Sequence, residues 1–207
     1  MPNSLDEIDF KIIKSISEDC RKTTTQIAKE AAISRPTAIA RLKELAKKQI
    51  IDFGAKVDVE KLGWKLAMVS FELEEPEKKN DMIQKLELCP RVLQITQNIA
   101  MPQYTALICG ETPETLLASI ECVRSMINAK ITSWQRIKPI IGETFSLKVL
   151  LEKSELTPCG KKCSLCVSYQ ESDCIGCPGT LDYKGTSGES AQSCFSDINN
   201  FKLGGDT

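Results

Sequence analysis

Residues 5–51 read LDEIDFKIIKSISEDCRKTTTQIAKEAAISRPTAIARLKELAKKQII, and this stretch decides the fold of the first part of the chain. Leucine and isoleucine recur at helical spacing over residues 5–16, which predicts a first helix with one apolar face. Thr23 and Gln26 form a capping-box pattern, so a short second helix is expected to begin there. A turn at Ala32–Ile33 then separates this second helix from a third.

The third helix carries the strongest functional signal. Ser34 is its predicted N-cap, and Pro36 lies in the first turn, where a missing N–H breaks no helical hydrogen bond. Thr37 and Ala40 are small residues on the predicted outward face, so this helix can approach the bases of a major groove closely. The pattern therefore predicts a helix-turn-helix. The alternative is a three-helix bundle that binds another protein.

Basic and hydroxyl side chains supply the predicted DNA contacts. Arg35 and Arg41 are the best candidates for guanine edges or phosphates, because a guanidinium can donate two parallel hydrogen bonds. Residues at the start of the second helix are expected to hold the DNA backbone. The full predicted set is Arg21, Lys22, Thr24, Ser34, Arg35, Thr37, Arg41 and Lys47.

The charge distribution agrees with a DNA-binding segment. The whole chain has a net charge of −1, but residues 21–56 hold nine Lys or Arg against three Asp or Glu, an excess of six positive charges. Phosphate contacts require such a local excess. A solvated helix face would show the same excess, so charge alone does not decide between the two.

Length and composition narrow the class of protein. The 207 residues suffice for one ordinary domain plus one or two small ones. No apolar run approaches the roughly 20 residues that span a bilayer, and the polar N-terminus is not a secretory signal, so we expect a cytoplasmic protein with no membrane partner. The sequence has no histidine, which excludes histidine-based acid–base catalysis, metal ligation and haem binding.

The middle of the chain alternates between strand and helix patterns. A strand is expected to lead out of the helix-turn-helix at residues 51–58. Helices are expected at residues 77–88 and after Thr112, which caps a helix with Pro113 at its first position. Strands are expected at residues 66–73, 92–98, 104–109 and 131–137, with 146–151 as a candidate fifth. The order predicts a ferredoxin-like βαββαβ domain with helices on one face of an antiparallel sheet.

The predicted fold class is α+β, with a winged-type helix-turn-helix, a ferredoxin-like domain and a small cysteine-rich metal-bound tail. The predicted divisions are a helix-turn-helix at 1–52, a linker strand at 53–64, a dimerisation and effector domain at 65–152, a cysteine-rich segment at 157–180 and a flexible tail at 181–207.

Residues 5–58 resemble the Lrp/AsnC family of prokaryotic transcriptional regulators. The resemblance lies in the Leu-Asp and Ile-Ile of the first helix, the Ile-Ala of the second, the serine before the third and the Arg-Leu-Lys-Glu-Leu run. Two positions depart from the family pattern: Ala32 and Gln49 stand where the family usually has glycine. Each departure costs about 1 kcal/mol if the backbone there is left-handed.

The resemblance covers about residues 4–152 and implies a homodimer, formed sheet to sheet, or a higher oligomer. It also implies a small effector between subunits, but the effector loop Met101-Pro102-Gln103-Tyr104-Thr105 lacks the family's aspartate. An ordinary amino-acid effector is therefore not expected. Siroheme decarboxylases share this architecture, so a tetrapyrrole-processing enzyme is the alternative. Such enzymes are expected to use histidines that this chain lacks, and we predict that it is not an enzyme.

The ten cysteines are unevenly distributed, and six of them lie in the last quarter of the chain. Cys20, Cys89, Cys109 and Cys122 occur singly and are expected to be small buried apolar residues. The pattern C-x3-C-x2-C-x7-C-x2-C indicates a metal site in a cytosolic protein. The predicted ligands are Cys159, Cys163, Cys166, Cys174 and Cys177, and Cys194 is a candidate for an additional ligand.

The identity of the metal stays open at this point. Zinc takes four thiolates in a tetrahedron, and a [4Fe–4S] cluster also takes four thiolates. We expect a regulator that binds double-stranded DNA and responds to a metal or redox signal at the cysteines. A purely structural zinc site and a disordered tail with free thiols are the alternatives.

Overall fold

The chain forms two compact units, Met1–Ala55 and Lys56–Thr207. The first unit contains the predicted helix-turn-helix, and the second contains the predicted sheet domain and the cysteine-rich segment. The computed structural model describes residues 5–99, 103–140, 142, 144–148 and 153–185.

Three helices make up the first unit, and their caps lie where the sequence predicts them. The helices are α1 (Glu7–Glu18), α2 (Thr24–Ala31) and α3 (Arg35–Lys47). Asp6 and Thr23 form capping boxes with the third helical residue, and the Ser34 side chain accepts from the backbone N–H of Thr37. Ile12, Ile27, Ala31 and Leu45 form the buried core. The prediction of three helices around one apolar core is confirmed.

The two positions that depart from the family pattern both have left-handed backbone. Ala32, the C-cap of α2, has φ 56° and ψ 44°, and Gln49, after α3, has φ 55°. These are conformations that glycine adopts without a steric penalty and that a Cβ disfavours. The strain expected at both positions is therefore present.

The second unit is built on an antiparallel sheet. The four strands are β2 (Lys65–Leu73), β3 (Val92–Gln97), β4 (Gln103–Gly110) and β5 (Ala129–Ile137), in the spatial order β3-β4-β2-β5. Helix α4 (Lys79–Leu88), after a 3-10 turn at Pro76–Lys78, connects β2 to β3, and α5 (Pro113–Ile127) connects β4 to β5. This strand order and connectivity confirm the predicted ferredoxin-like βαββαβ domain.

The two helices cover one face of the sheet. Phe71 on β2, Leu86 on α4 and Ile120 on α5 belong to one buried cluster. The rings of Phe71 and Tyr104 stack with centroids 5.6 Å apart. On the opposite face Met68 of β2 is exposed. One face packed on helices and one face open to solvent are common in antiparallel sheets.

Two predicted strands differ from the structure. In place of the strand over 51–58, only β1 (Val57–Asp58) is extended and paired, and residues 59–63 form turns. Of the candidate fifth strand, residues 146–148 are not in a strand, and residues 149–151 lie outside the described part of the chain. A two-residue strand before them, β6 (Thr144–Phe145), pairs with β1 and does not join the four-stranded sheet. The prediction of a linker strand over 53–64 is therefore wrong. A two-residue ladder leaves little periodic pattern in a sequence, so its position could not be predicted.

The described part of the tail, residues 153–185, is folded. It contains a 3-10 turn at Cys163–Leu165, a short helix α6 (Val167–Gln170) and a parallel bridge between Ser154 and Thr180. The predicted flexible segment begins too early, because Tyr183 and Lys184 have hydrogen-bond partners. Cys194 and the Met101-Pro102 part of the effector loop lie outside the described residues.

Candidate functional site

The surface formed by α2 and α3 brings together four of the residues predicted to contact DNA. Arg35 Nε donates to Thr24 Oγ1 at 3.4 Å, and the hydroxyls of Ser34 and Thr37 are 2.7 Å apart. Ser34, Arg35 and Thr37 are exposed, as is Ala40 on the next turn of α3. A helix N-terminus with exposed hydroxyls, a guanidinium and no bulky apolar side chain fits a DNA groove.

Arg41 is instead tied to α1. Its guanidinium forms ion pairs with Asp6 at 2.8 Å and with Asp9 at 3.2 Å, and the Asp9 side chain is only 9% exposed. The charges of Asp6 and Asp9 raise the pKa of Arg41. A base contact by Arg41 requires breaking both ion pairs and leaving the Asp9 carboxylate without its cation, so the geometry gives Arg41 a structural role.

The remaining basic residues differ in their exposure and in the ion pairs that they would have to break to contact DNA. Lys22 is bound between Glu18 at 3.1 Å and Glu30 at 2.8 Å, and its side chain is 17% exposed. Arg21 pairs with Asp19 but its side chain is 86% exposed, and Lys47 is exposed in the last turn of α3. Arg21 and Lys47 can reach a phosphate from these positions, whereas Lys22 has to leave two carboxylates.

The tail cysteines meet residues of the βαββαβ domain around one cavity. The cavity has a volume of about 70 Å³ and lies between α5, the end of α4 and the tail. All five predicted metal ligands line it, together with two cysteines that the sequence did not connect to them. We call this space the cysteine cavity. The seven cysteines that line it are Cys89, Cys122, Cys159, Cys163, Cys166, Cys174 and Cys177.

The four single cysteines therefore do not share one role. Cys109 is buried, as expected, but Cys20 is exposed. Cys89 is the C-cap of α4, and Cys122 lies on α5 facing the tail. The cysteine spacing does not point to these two residues, because Cys89 follows the last residue of α4 and Cys122 lies within α5. Only the docking of the tail brings them to the cavity.

A buried ionic network docks the tail. Arg91, 7% exposed, forms an ion pair with Glu111 and donates a hydrogen bond to the carbonyl oxygen of Gly176 at 2.5 Å. Tyr183 donates its hydroxyl to the other oxygen of Glu111 at 2.6 Å. Burial and the Glu111 carboxylate raise the pKa of Tyr183. The turn between Cys174 and Cys177 and the segment that follows it are thus fixed to the domain.

A second attachment lies on the other side of the cavity. Lys161 Nζ donates to the carbonyl oxygen of Cys122 at 3.3 Å and to the Ser125 hydroxyl at 2.6 Å. Thr157 accepts from the backbone N–H of Lys161 and its hydroxyl lies 3.2 Å from the Cys159 sulfur. The lysine therefore places the first tail cysteine beside α5.

Hydrogen bonds to sulfur and one glycine define the knuckles of the tail. The backbone N–H of Cys177 donates to Cys163 Sγ at 3.4 Å. Gly176 has φ +89°, and a Cβ there would lie 2.8 Å from the carbonyl oxygen of Asp182. Only glycine fits such a position, because it has both the left-handed backbone and the close approach.

Burial favours the protonated form of four of the cavity thiols. Burial raises the pKa of Cys122 to about 11 and that of Cys177 to about 12, and it raises the pKa of Cys89 and of Cys174 as well. A bound cation reverses this balance by stabilising the thiolates. Within the described stretches, no three Cys, Asp or Glu side chains are placed so that they could hold one metal ion together.

None of the helices in the described part of the chain is both long and apolar enough to cross a membrane.

Comparison with known proteins gives two kinds of similarity. Residues 5–52 match the family described as winged helix-turn-helix DNA-binding. The HTH-type transcriptional regulator Ptr1 of Methanocaldococcus jannaschii is 27% identical over 128 residues, which cover 61% of this chain and 82% of that protein. The HTH-type transcriptional regulator LrpA of Pyrococcus horikoshii is 33% identical over 84 residues, 40% of this chain and 60% of that protein.

Solved structures share the fold. The leucine response regulatory protein LrpA of Mycobacterium tuberculosis superimposes with a TM-score of 0.62 at 20% identity, covering 67% of this chain and 97% of that one. The regulator NMB0573 of Neisseria meningitidis, solved in complex with L-Met, gives a TM-score of 0.53 at 20% identity, covering 70% and 97%. The chain thus has a winged helix-turn-helix followed by an α/β domain with an antiparallel sheet. Ptr1 and the LrpA of Pyrococcus horikoshii are named as transcriptional regulators, and the solved structures, at 20% identity, share the fold.

Proposed function

We propose that this chain is a sequence-specific DNA-binding transcriptional regulator of Lrp/AsnC type, and that a metal or redox signal at the cysteine cavity modulates its activity. The observation that carries the DNA-binding part is the exposed N-terminal face of α3, with Arg35 and Thr37 beside Thr24 of α2. The match of residues 5–52 to a DNA-binding family supports it.

In the proposed complex α3 lies in the major groove. Thr37 and Ala40 allow a close approach, and Arg35 reaches a guanine edge or a phosphate once it releases its long hydrogen bond to Thr24. Arg21 and Lys47 contact phosphates on either side. Arg41 and Lys22 hold the three helices together through their carboxylate partners and do not read bases.

We further propose a homodimer, because one recognition helix reads too few base pairs for useful specificity. One end of the sheet face that carries Met68 is covered, because Leu66 and Cys109 are buried there in a cluster with Val59. The rest of this face is available for pairing. It presents Met68, which is 40% exposed, among polar side chains such as Ser70 and Thr105. A dimer with twofold symmetry carries two α3 helices, which matches a DNA site made of two symmetric half-sites.

The cysteine cavity is the proposed input. It supports a role in signalling because it lies against α4 and α5, the two helices that cover the sheet of the proposed dimer. The effector loop as far as it is described offers Gln103 and Thr105, with no carboxylate to bind an α-amino group. A metal or redox group that changes the packing of the tail on α5 would therefore take the role that an amino-acid effector has in other regulators.

Selection of binding sites from a random pool of double-stranded DNA tests the DNA-binding part. We expect enrichment of one sequence with twofold symmetry, and an affinity for it that falls steeply with salt. Light scattering on the same preparation should give a dimer or a multiple of it. Absence of any enriched sequence, together with loss of all binding when unrelated competitor DNA is added, would refute the proposal and favour the protein-binding alternative.

A further inference from the structure

We propose that the cysteine cavity holds an iron–sulfur cluster, and that Cys89 or Cys122 of the βαββαβ domain supplies at least one of its thiolate ligands. The inference deepens the proposed function by naming the group at its input. The cluster would join the tail to the helices of the domain directly, instead of closing the tail on itself.

The number and origin of the thiols favour a cluster over a structural zinc ion. The two C-x-x-C pairs, Cys163–Cys166 and Cys174–Cys177, suffice by themselves for a structural zinc ion, which takes four ligands. Yet Cys89 and Cys122 line the same cavity from a different part of the chain. A self-contained zinc knuckle does not require cysteines from the domain that it packs against.

The cavity is larger than a zinc–thiolate site requires. In a zinc–thiolate site the sulfur atoms lie about 2.3 Å from the ion and leave no free volume between them. A single water molecule needs about 10–15 Å³ on the same scale, whereas this cavity has about 70 Å³. No three of the described Cys, Asp or Glu side chains are placed for one shared ion. The space fits a group of several atoms with thiolates around its outside, as in an iron–sulfur cluster.

The side chains and hydrogen bonds around the cavity also suit an iron–sulfur cluster. Lys161 and Lys162 line the cavity and can offset the negative charge of a thiolate-bound cluster. Cys163 Sγ accepts from the backbone N–H of Cys177 at 3.4 Å and lies 3.7 Å from the Thr180 hydroxyl. Hydrogen bonds to ligand sulfur and a water-poor apolar wall, here including Val123, are the features by which proteins stabilise and tune such clusters.

Anaerobic reconstitution of the full chain tests the inference. The protein is incubated with sulfide and equal amounts of ferrous and ferric iron, which together supply the charge of a [4Fe–4S]²⁺ core, and the ligating thiols release their protons to the buffer. We expect about four iron and four acid-labile sulfide per chain and absorption near about 400 nm. In the double variant C89S/C122S we expect less than half of this content.

Matched controls separate ligation from folding. Cys20→Ser removes an exposed cysteine of the first unit and should leave the iron and sulfide content unchanged. Circular dichroism and tryptophan fluorescence establish that C89S/C122S is folded. If that variant is unfolded, the single variants Cys89→Ala and Cys122→Ala are measured, and at least one must lose cluster while remaining folded.

Two results would overturn the inference. One is a chain that binds one zinc ion or copper ions but no iron with labile sulfide. The other is a folded C89S/C122S variant, or both folded single variants, with the cluster content of the unchanged chain. DNA binding is measured on the same preparations and is independent of these results. A chain that loads a cluster but binds no DNA sequence refutes the proposed function, and one that binds DNA without a cluster refutes this inference.

Discussion

Arg91 and Gly176 are joined by a 2.5 Å hydrogen bond across 85 residues of sequence, from the guanidinium of one to the carbonyl oxygen of the other. The same guanidinium forms the ion pair with Glu111, so one buried side chain serves the domain and the tail at once. The tail is thereby part of the folded unit that contains the sheet, and the cysteines between Cys163 and Cys177 have fixed positions relative to α5.

Removing the charge of Arg91 should destabilise the second unit strongly. Arg91→Met leaves Glu111 buried without its cation, which costs about 3–5 kcal/mol when one partner of a buried pair is lost. Both tryptophans, Trp64 and Trp134, lie in this unit, so urea unfolding followed by their fluorescence measures the effect. Tyr183→Phe should cost about 1–3 kcal/mol, because Glu111 keeps its arginine and loses one hydrogen bond. Equal losses in the two variants would contradict the assigned network.

Glycine at the two left-handed positions should stabilise the first unit. We expect Ala32→Gly and Gln49→Gly each to raise the free energy of unfolding by about 1 kcal/mol, because each removes a Cβ from a left-handed backbone. Ala40→Gly is the matched control. It lies exposed within α3 and should lower the free energy of unfolding by about 1 kcal/mol. Amide hydrogen exchange in α1, α2 and α3 measures the stability of this unit separately from that of α4 and α5. The same sign for all three changes would refute the backbone argument.

Arg35 and Arg41 should respond differently to truncation. Arg35→Ala is expected to weaken specific DNA binding by about 1–3 kcal/mol and to leave the thermal midpoint nearly unchanged, since Arg35 is exposed. Arg41→Ala should lower the thermal midpoint, because Asp9 loses its partner, while the folded protein keeps its DNA affinity. Fluorescence anisotropy and thermal melts on both variants decide the matter. A drop in affinity with Arg41→Ala at a temperature where the variant is folded would restore the sequence-based assignment of that residue.

Acid should weaken the first unit through Asp6. The backbone N–H of Asp9, and after it the Arg41 charge, hold the pKa of Asp6 below its usual range. A depressed carboxyl pKa stabilises the fold above the unfolded value of about 3.9, and this stabilisation is lost as pH falls through the lower folded value. Asp6→Asn keeps a good N-cap but has no charge to titrate. Unfolding measured between neutral pH and pH values of about 3 should therefore show a shallower acid loss in the variant.

Local signals account for the parts of the fold that the sequence predicted. Thr23, Ser34 and Thr112 begin helices in the structure, and each is followed by the pattern that a cap requires. The strands of the sheet lie within two residues of their predicted starts, because alternating apolar residues are read from a few neighbours. By contrast, β1 is two residues long and owes its pairing to Phe145, far along the chain.

The site was less predictable, because its chemistry depends on contacts between distant residues. The cysteine spacing identified the five tail residues, but Cys89 and Cys122 have no spacing relation to them. Arg41 lies on the expected outward side of α3, and only the fold reveals that Asp9, 32 residues earlier, accepts from it. Residue type and spacing indicate which groups can bind a ligand, while tertiary partners determine which of those groups are free.

The docking of the tail limits how this protein can be recombined. A cysteine-rich segment held only by its own metal could be moved to the end of an unrelated regulator and keep its properties. Here Gly176 needs a buried arginine, Tyr183 needs a carboxylate at the end of β4, and Lys161 needs the acceptors at Cys122 and Ser125. The tail is therefore not a portable module. A chimera inherits the cavity only if it also inherits the half of it that belongs to α4 and α5.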